Sequence, residues 1–358
     1  MADSTYSIAV LPGDGIGREV VPEGLRVLDA IGVRFGLKFK YRHFDWSCEQ
    51  YNRTGRMMPE DGISQLSDSD AIVFGAVGAP GVPDHVSVWG LLLPIRQEFD
   101  QYVNLRPVRA VPRIPSPLRD KTGDDLRLWV VRENTEGEYS RVGGCSYAGT
   151  AREIVTQQSM FSRHGVDRIL RYAFELAKRE KVDHVTSATK SNGMFYTMPY
   201  WDERFRVIAA EYPDVRVDQY HIDILSARFV TTPERFDVVV ASNLFGDILS
   251  ELGAAVAGTL GVAPSGNINP ERRHPSLFEP IHGSAPDIAG KGVANPVGAI
   301  QSIAMMLDHL GQTEAGKLVT QAVNEVMANA GAPHTPDTGG TGTTSAVGAA
   351  VAARIAMA

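Results

Sequence analysis

The stretch Ile8-Ala-Val-Leu-Pro-Gly-Asp-Gly-Ile-Gly17 decides the architecture. Ile8 to Leu11 is a continuous aliphatic run, the pattern of a strand buried on both faces. It ends in the turn Pro12-Gly13-Asp14-Gly15, and a helix is expected through Val20 to Ile31. Strand, glycine turn and helix in that order also open a dinucleotide-binding unit. That unit needs G-x-G-x-x-G and an acidic residue about twenty positions on. Here the third glycine, Gly17, arrives one residue early, and no such acid ends a second strand. The turn is therefore a joint between strand and helix, and a standard Rossmann fold is rejected.

Similar runs recur outward from it. Ala71-Ile-Val-Phe74 is expected to break at Gly75-Ala76-Val77-Gly78, and Leu128 to Val131, His184 to Ser187 and Val238 to Val240 read as further strands. Between Val166 and Ala177 the residues Val166, Ile169, Leu170, Ala173, Phe174 and Ala177 recur every three or four positions. Arg168, Arg171 and Lys178 face outward, which predicts an amphipathic helix. Strands alternating with helices argue for an α/β architecture with much parallel sheet. Pro107, Pro112, Pro115 and Pro117 predict a loop between Arg106 and Asp125. The small-residue tail Gly339 to Ala358 is either a capped helix or partly mobile.

At 358 residues, one large core or two modest ones can form, and two domains are expected. A formal charge of -7 offers no basic footprint, so no nucleic-acid partner is expected. Cys48 and Cys145 are too few for a disulfide framework and fit a reducing compartment. Met1-Ala2-Asp3-Ser4 has no basic leader region, and the apolar stretches Leu252 to Pro264 and Ser345 to Ala358 are too short to span a bilayer. A cytoplasmic protein with no membrane association is expected.

Four features offer chemistry besides the glycine turn. Asp247 and Glu251 lie four apart in Asn243-Leu-Phe-Gly-Asp-Ile-Leu-Ser-Glu-Leu252, on one face of a helix. Two carboxylates there need a hard cation such as Mg²⁺ or Mn²⁺, or a basic partner such as arginine. Arg96, Arg106 and Arg132 suit bidentate pairing with a dianion. Arg132 follows a buried-looking strand, at the end where α/β proteins bind ligands. Lys190 and Tyr139 are candidate proton carriers, each with a plain structural alternative. The run Phe278-Glu279-Pro-Ile-His282-Gly283-Ser284-Ala285-Pro-Asp287 reads as a loop able to present N–H groups to phosphate, or as a plain Ω-loop.

Together these segments resemble the β-decarboxylating dehydrogenases, the family of isopropylmalate and isocitrate dehydrogenases. The resemblance runs from Pro12-Gly-Asp-Gly-Ile-Gly17 to Thr335-Pro-Asp337. It is most specific at Asn104-Leu-Arg-Pro107, Arg132-Glu-Asn-Thr-Glu136, Asn243 to Leu252 and His282 to Pro296. Asp84-His-Val-Ser-Val-Trp-Gly90, Glu98 to Arg106 and Met198-Pro-Tyr-Trp-Asp-Glu-Arg204 are most similar to its branch of tartrate dehydrogenase/decarboxylases and decarboxylating D-malate dehydrogenases. Isopropylmalate enzymes usually place a glutamate and small apolar residues between Val86 and Leu92. Trp89 stands there instead, which favours a smaller substrate.

The resemblance implies an isopropylmalate dehydrogenase-like two-domain α/β fold with a mixed, largely parallel central sheet. Residues 1–102 and 258–358 would form a discontinuous cofactor-binding domain. Residues 103–257 would form the dimerisation, substrate and metal domain, with an arm near 137–158. It implies NAD, Mn²⁺ or Mg²⁺, with K⁺ open, and a homodimer whose active sites borrow Lys190 and Asp223 from the partner. Arg96, Arg106 and Arg132 would bind a small 2-hydroxy dicarboxylate, tartrate or D-malate. Asp223, Asp247 and Glu251 would hold the metal, Lys190 would take the hydroxyl proton and Tyr139 would protonate C3. Gly75, Ala76, Asn192, Glu279, His282, Gly283, Ser284, Ala285, Asp287 and Asn295 would face NAD, with Asp287 on the adenosine ribose. One departure is Glu251, where the family usually has aspartate; it either ligates directly, reaches the metal through water or orients another ligand. A 3-isopropylmalate dehydrogenase and a non-catalytic ligand-binding relative are the alternatives.

Overall fold

The computed structural model describes residues 5–119, 121 and 125–358, so the expectation on Met1–Ser4 and part of the proline-rich loop lie outside the described residues. Twelve strands are described: β1 (Thr5–Gly13), β2 (Lys38–His43), β3 (Ala71–Ala76), β4 (Val103–Arg109), β5 (Arg127–Glu133), β6 (Gly143–Ser146), β7 (Ile154–Gln157), β8 (His184–Thr189), β9 (Arg216–His221), β10 (Val238–Ala241), β11 (Pro264–Ile268) and β12 (Ser276–Pro280). Ten of them make one sheet in the order β2-β1-β3-β12-β11-β4-β5-β10-β8-β9. Six of its pairings are parallel, and the three antiparallel ones cluster in the middle, at β12–β11, β11–β4 and β4–β5. The sheet is thus mixed and largely parallel, and its order is not that of the rejected dinucleotide fold.

The opening joint behaves as expected. The helix after it is longer than predicted, Gly17–Phe35, and ends in Gly36 in the left-handed conformation. Gly13 has φ 68°, and a Cβ there would fall 1.9 Å from the Ala76 carbonyl oxygen. Only glycine lets the turn lie this close to β3. Asp14 pins it from the other side: its buried carboxylate accepts from the backbone N–H of Cys48 (3.0 Å) and Gly78 (3.0 Å).

Alternate residues of β1 and β3 feed the two faces of the sheet. Ile8, Val10, Ala71 and Val73 join a core that continues through Val130, Leu170 and Val239. Ala9, Leu11, Ile72 and Phe74 pack instead with Trp46, Leu91, Ile95 and Phe99. The periodic helix spans Arg163–Glu180; Ser162 caps it by accepting from the Gly165 N–H, and Lys181 ends it at φ 58°. Phe174 stacks 4.7 Å from Tyr212 on its buried side, and truncating such a residue costs about 3–5 kcal/mol.

Three expectations need correction. β3 does not break at Gly75 but runs through Ala76, because Gly75 and Gly17 pack backbone to backbone. Phe278-Glu279-Pro280 is not loop: it is buried β12, held between β3 and β11. The proline-rich connection starts later than Arg106, since β4 continues to Arg109. The tail forms a helix, Thr344–Met357, capped by Thr343 and packed on Gly17–Phe35. β6 and β7 make a separate hairpin whose eight residues are exposed.

Candidate active site

The parallel strands β5, β10, β8 and β9 leave the sheet at one edge. Arg132, Asn243, Lys190 and Asp223 sit at or just beyond their carboxyl ends, where ligands bind in such sheets. The helix Asn243–Val256 starts directly after β10 and crosses over Arg132. It approaches so closely that a Cβ on Gly246 would lie 2.5 Å from the Arg132 Cβ. Its N-terminus is satisfied by Glu138, whose carboxylate accepts from the Ser242 hydroxyl (2.8 Å) and the Leu244 N–H (3.1 Å).

Three sequence-picked arginines come together here. Arg132 donates through Nε and Nη2 to Asn243 Oδ1 at 3.0 and 2.8 Å, and through Nη1 to Asp247. Arg106 donates to Ser250 Oγ (2.7 Å) and lies 3.5 Å from Asp247 and 3.7 Å from Glu251. Arg96 pairs with Glu279 at 2.9 Å, both buried. Tyr139 donates its hydroxyl to Asp247 Oδ2 at 3.0 Å, with the Arg132 guanidinium 5.3 Å from its ring centre.

Beneath this cluster runs a buried amide network. Asn104 donates to Ser265 Oγ and Asn267 Oδ1, each at 2.9 Å. Asn134 reaches the same Asn267 oxygen at 3.0 Å, and Asn267 in turn donates to Glu279 at 2.7 Å. The network fixes Glu279, which fixes Arg96.

Burial pushes the Arg132 guanidinium down to about 10, Asp247 partly offsetting it and Arg106 and Arg96 adding to it. Arg106 is lowered in the same way. Mutual repulsion of this kind marks a site of positive potential. The Nε groups of Arg96 and Arg106 are buried without a hydrogen-bond partner. Burial alone would raise the Asp247 carboxyl, but Arg132, Arg106 and the Tyr139 hydroxyl together hold it below the usual carboxylate range. Glu251 goes the other way, raised by burial against the pull of Arg106. Burial and Asp247 raise the Tyr139 phenol, so it is protonated and able to act as an acid.

Other picked residues lie apart from this cluster. Lys190, half-buried, pairs with the exposed Asp223 of the same chain at 3.1 Å, and Asn192 is exposed on the turn beyond. Among the described residues, no three His, Cys, Asp or Glu side chains form a cation cage. Gly75 and Ala76 sit inside β3 under the glycine turn. The loop from Ile281 docks on that turn, with Ile16 N–H donating to the Ser284 carbonyl (2.9 Å). Ala285 next to it takes φ 40°, and Asp287 is exposed on the same loop, as is Gly283. His282 is held neutral-leaning by burial, its Nδ1 against the Gly283 carbonyl (2.9 Å) and Nε2 unpartnered. Asn295 spends its amide internally, donating to Asp337 (3.0 Å) and accepting from the Val297 N–H (3.0 Å).

Asn243, Ser250, Asn267, Asp14 and Asp337 were not singled out from sequence. The signal available was a polar residue inside an apolar run, as at Asn104 between Val103 and Leu105. No helix among the described residues is long and apolar enough to cross a membrane.

The isocitrate/isopropylmalate dehydrogenase family model matches residues 7–351. The chain is 58% identical to the D-malate dehydrogenase [decarboxylating] of Escherichia coli (strain K12), over 97% of this chain and 98% of that one. It is 56% identical to the tartrate dehydrogenase/decarboxylase of Pseudomonas putida, over 99% of each. The crystal structure of isocitrate dehydrogenase from Methylococcus capsulatus superposes with a TM-score of 0.87 at 33% identity, over 98% of this chain and 99% of that one. With the mixed sheet and the arginine–carboxylate cluster at its carboxyl edge, a match this complete means that the chain belongs to the isocitrate/isopropylmalate dehydrogenase family and is an oxidoreductase.

Proposed function

We propose that the protein carries out the NAD- and divalent-metal-dependent oxidation and β-decarboxylation of a small 2-hydroxy dicarboxylate, D-malate (to pyruvate and CO₂) or tartrate. The observation behind it is the cluster of Arg96, Arg106, Arg132, Tyr139 and Asp247, which pairs carboxylate-binding forks with an acid and a metal-type ligand. The names of its relatives point to the same substrates.

The residues fit a hard divalent cation: Asp247 and Glu251 offer carboxylate oxygens one helical turn apart, with side chains 34% and 44% exposed. Asp223 would be the third ligand, and as Lys190 and Asp223 stand together they would enter a neighbour's cluster as a pair. Exposed Ile224, Leu244 and Ile248 beside Asp223 and Asp247, and the exposed β6–β7 hairpin, suit a homodimer that shares its sites. The exposed Asp287 carboxylate fits the free hydroxyls of an NAD ribose and would repel a 2′-phosphate. On this proposal residues 1–102 and 258–358 form the cofactor domain and residues 103–257 the other, and the protein works in the cytoplasm.

When bound, the metal steadies negative charge on the substrate oxygen and NAD accepts the hydride. Arg96, Arg106 and Arg132 grip the two carboxylates and set the substrate's orientation. For this, Arg106 and Arg132 exchange part of their hold on Asp247 for the incoming anion. Lys190 withdraws the hydroxyl proton as C2 is oxidised. Loss as CO₂ of the carboxylate on C3, one carbon beyond the new ketone, leaves an enolate, and Tyr139, kept protonated, returns a proton to C3. Glu251, facing Arg106, would reach the metal through water or orient one of its ligands rather than bind it directly.

The test is NADH formation with Mn²⁺ present, comparing D-malate, tartrate and 3-isopropylmalate with and without chelator. Turnover of D-malate or tartrate, abolished by chelator, is expected. A preference for 3-isopropylmalate would retain the chemistry and overturn the substrate.

A further inference from the structure

One contact at the edge of the arginine cluster takes no part in the chemistry proposed above. Trp89 lies in the π-helical turn Val88–Leu92, which continues into the helix Leu93–Glu98 that carries Arg96. Such turns occur disproportionately at functional sites. Arg141 lies two residues beyond Tyr139, and its guanidinium carbon stands 5.5 Å from the Trp89 ring centre. Arg96 and Tyr139 both belong to the cluster, so the contact joins the two segments that border it.

Both backbones are held. Gly90 packs on Met57, where a Cβ would come within 2.6 Å of the Met57 Cγ. On the other side, the Gln157 side chain donates to the Ser140 carbonyl and the Gln158 N–H donates to the Val142 carbonyl at 2.8 Å. With the chain fixed on either side of Arg141, its side chain reaches the Trp89 ring and links the two segments. Arg141 is exposed and has no carboxylate partner among the described residues, so its N–H donors are unspent. A guanidinium lying on an indole keeps those donors in the ring plane's surroundings while the flat faces stack.

We infer that Arg141 is a specificity-determining positioning residue that holds the Trp89 indole across the substrate entrance. The indole limits the substituent at C3 to a hydrogen or a hydroxyl, and the free guanidinium donors draw a dianion inward. This rests on the proposed oxidation of a small dicarboxylate.

The experiment measures kcat and KM for D-malate, tartrate and 3-isopropylmalate on the parent, Arg141→Ala, Arg141→Lys, Trp89→Leu and the Trp89→Leu/Arg141→Ala pair, each checked by thermal melting. Arg141→Ala should raise KM for the preferred four-carbon acid about two- to fivefold, with a smaller change in kcat. It should also narrow the preference over 3-isopropylmalate. Arg141→Lys should recover most of this, since an ammonium also binds an indole face. Trp89→Leu should narrow the preference by on the order of tenfold or more. In that background Arg141→Ala should not narrow it further, because the two residues act as a unit. Equal narrowing in both backgrounds, or an unchanged substrate ratio in Arg141→Ala, would overturn the inference. If Arg141→Ala melts early, Arg141→Gln against Arg141→Lys makes the same comparison. A parent inactive on all three acids would instead sink the proposed function, and the inference with it.

Discussion

Arg132 and Lys190 leave the same edge of the sheet, two strands apart, yet they stand in opposite surroundings. Arg132 is almost wholly buried, with Asn243 and Asp247 on its fork and Tyr139 against its face. Among the described residues Lys190 has one charged partner, Asp223, in an ion pair whose side chains are 31% and 66% exposed. A buried fork with fixed partners holds its geometry before any ligand arrives. A half-buried lysine with one exposed carboxylate is held loosely, and screening by water leaves the pair little role in stability. One half of the candidate chemistry is therefore complete within the chain, while the other half is presented outward.

The sharpest way to break that contrast is Lys190→Met. It should lower kcat by about 10²- to 10⁴-fold while the melting temperature stays that of the parent. An equally large loss of stability would mean that Lys190 is part of the scaffold. If the sites are shared between subunits, co-refolding Lys190→Met with Asp247→Asn chains should restore about a quarter of the parent's activity, because half the dimers are hybrids with one intact site. No recovery would place both residues in one chain's site.

Arg132→Lys should do what Lys190→Met does not, and lower both activity and stability. A lysine cannot fork to Asn243 and Asp247 at once, and loosening a buried pair costs about 2–4 kcal/mol, read as a drop in the urea midpoint. An unchanged midpoint would show that Arg106 and Tyr139 hold Asp247 unaided.

A smaller effect comes from Glu133, the buried neighbour of Arg132, whose carboxyl burial pushes up to about 7 despite accepting from Thr135 and Glu136. Its folded value lies above the ordinary 4.5, so between the two the folded chain binds a proton that the unfolded chain has released. Its contribution to stability therefore falls as pH rises from about 4.5 to about 7 and levels off above. Asp223, lowered by Lys190, contributes in the opposite sense: its share is present above the ordinary aspartate value and is lost as pH falls below it. The gap between the stability curves of the parent and Glu133→Gln should change between about pH 4.5 and about pH 7 and stay constant above; curves that run parallel below pH 7 as well would place the proton elsewhere. Smallest of all, Glu251→Asp should leave Mn²⁺ affinity similar or better, by calorimetric titration. A large loss would make Glu251 a direct ligand.

Legibility followed periodicity. The helix Arg163–Glu180 and the strands through Ile8 to Leu11 and Val238 to Val240 were readable because a buried face repeats at a fixed interval. The helix ends were less so, since Arg163 and His164 at one end and Lys178 and Arg179 at the other face solvent and carry no apolar pattern. β3 hid its last residues because Gly75 looks like a break, and only the nearby backbone of Gly17 explains a glycine inside a strand. β12 hid inside a run of turn formers, its strand character supplied by pairing with β3 and β11.

The candidate site divides along the same line. The residue types alone, three arginines, an i,i+4 carboxylate pair, a tyrosine and a lysine, were determined by the sequence, because the chemistry of a functional group does not depend on its neighbours' positions. Their motifs also resembled one family closely enough to name it. Which groups meet was decided only by the tertiary structure. Asn104, Asn134, Asn267 and Glu279 come from four separate segments, and nothing local in any of them says that a hydrogen-bond network will form. The same is true of the charge states: Asp247 falls and Glu251 rises although both are carboxylates on one helix face. Burial and the distance to Arg132 set that difference, and both quantities exist only once the sheet edge and the helix above it have packed.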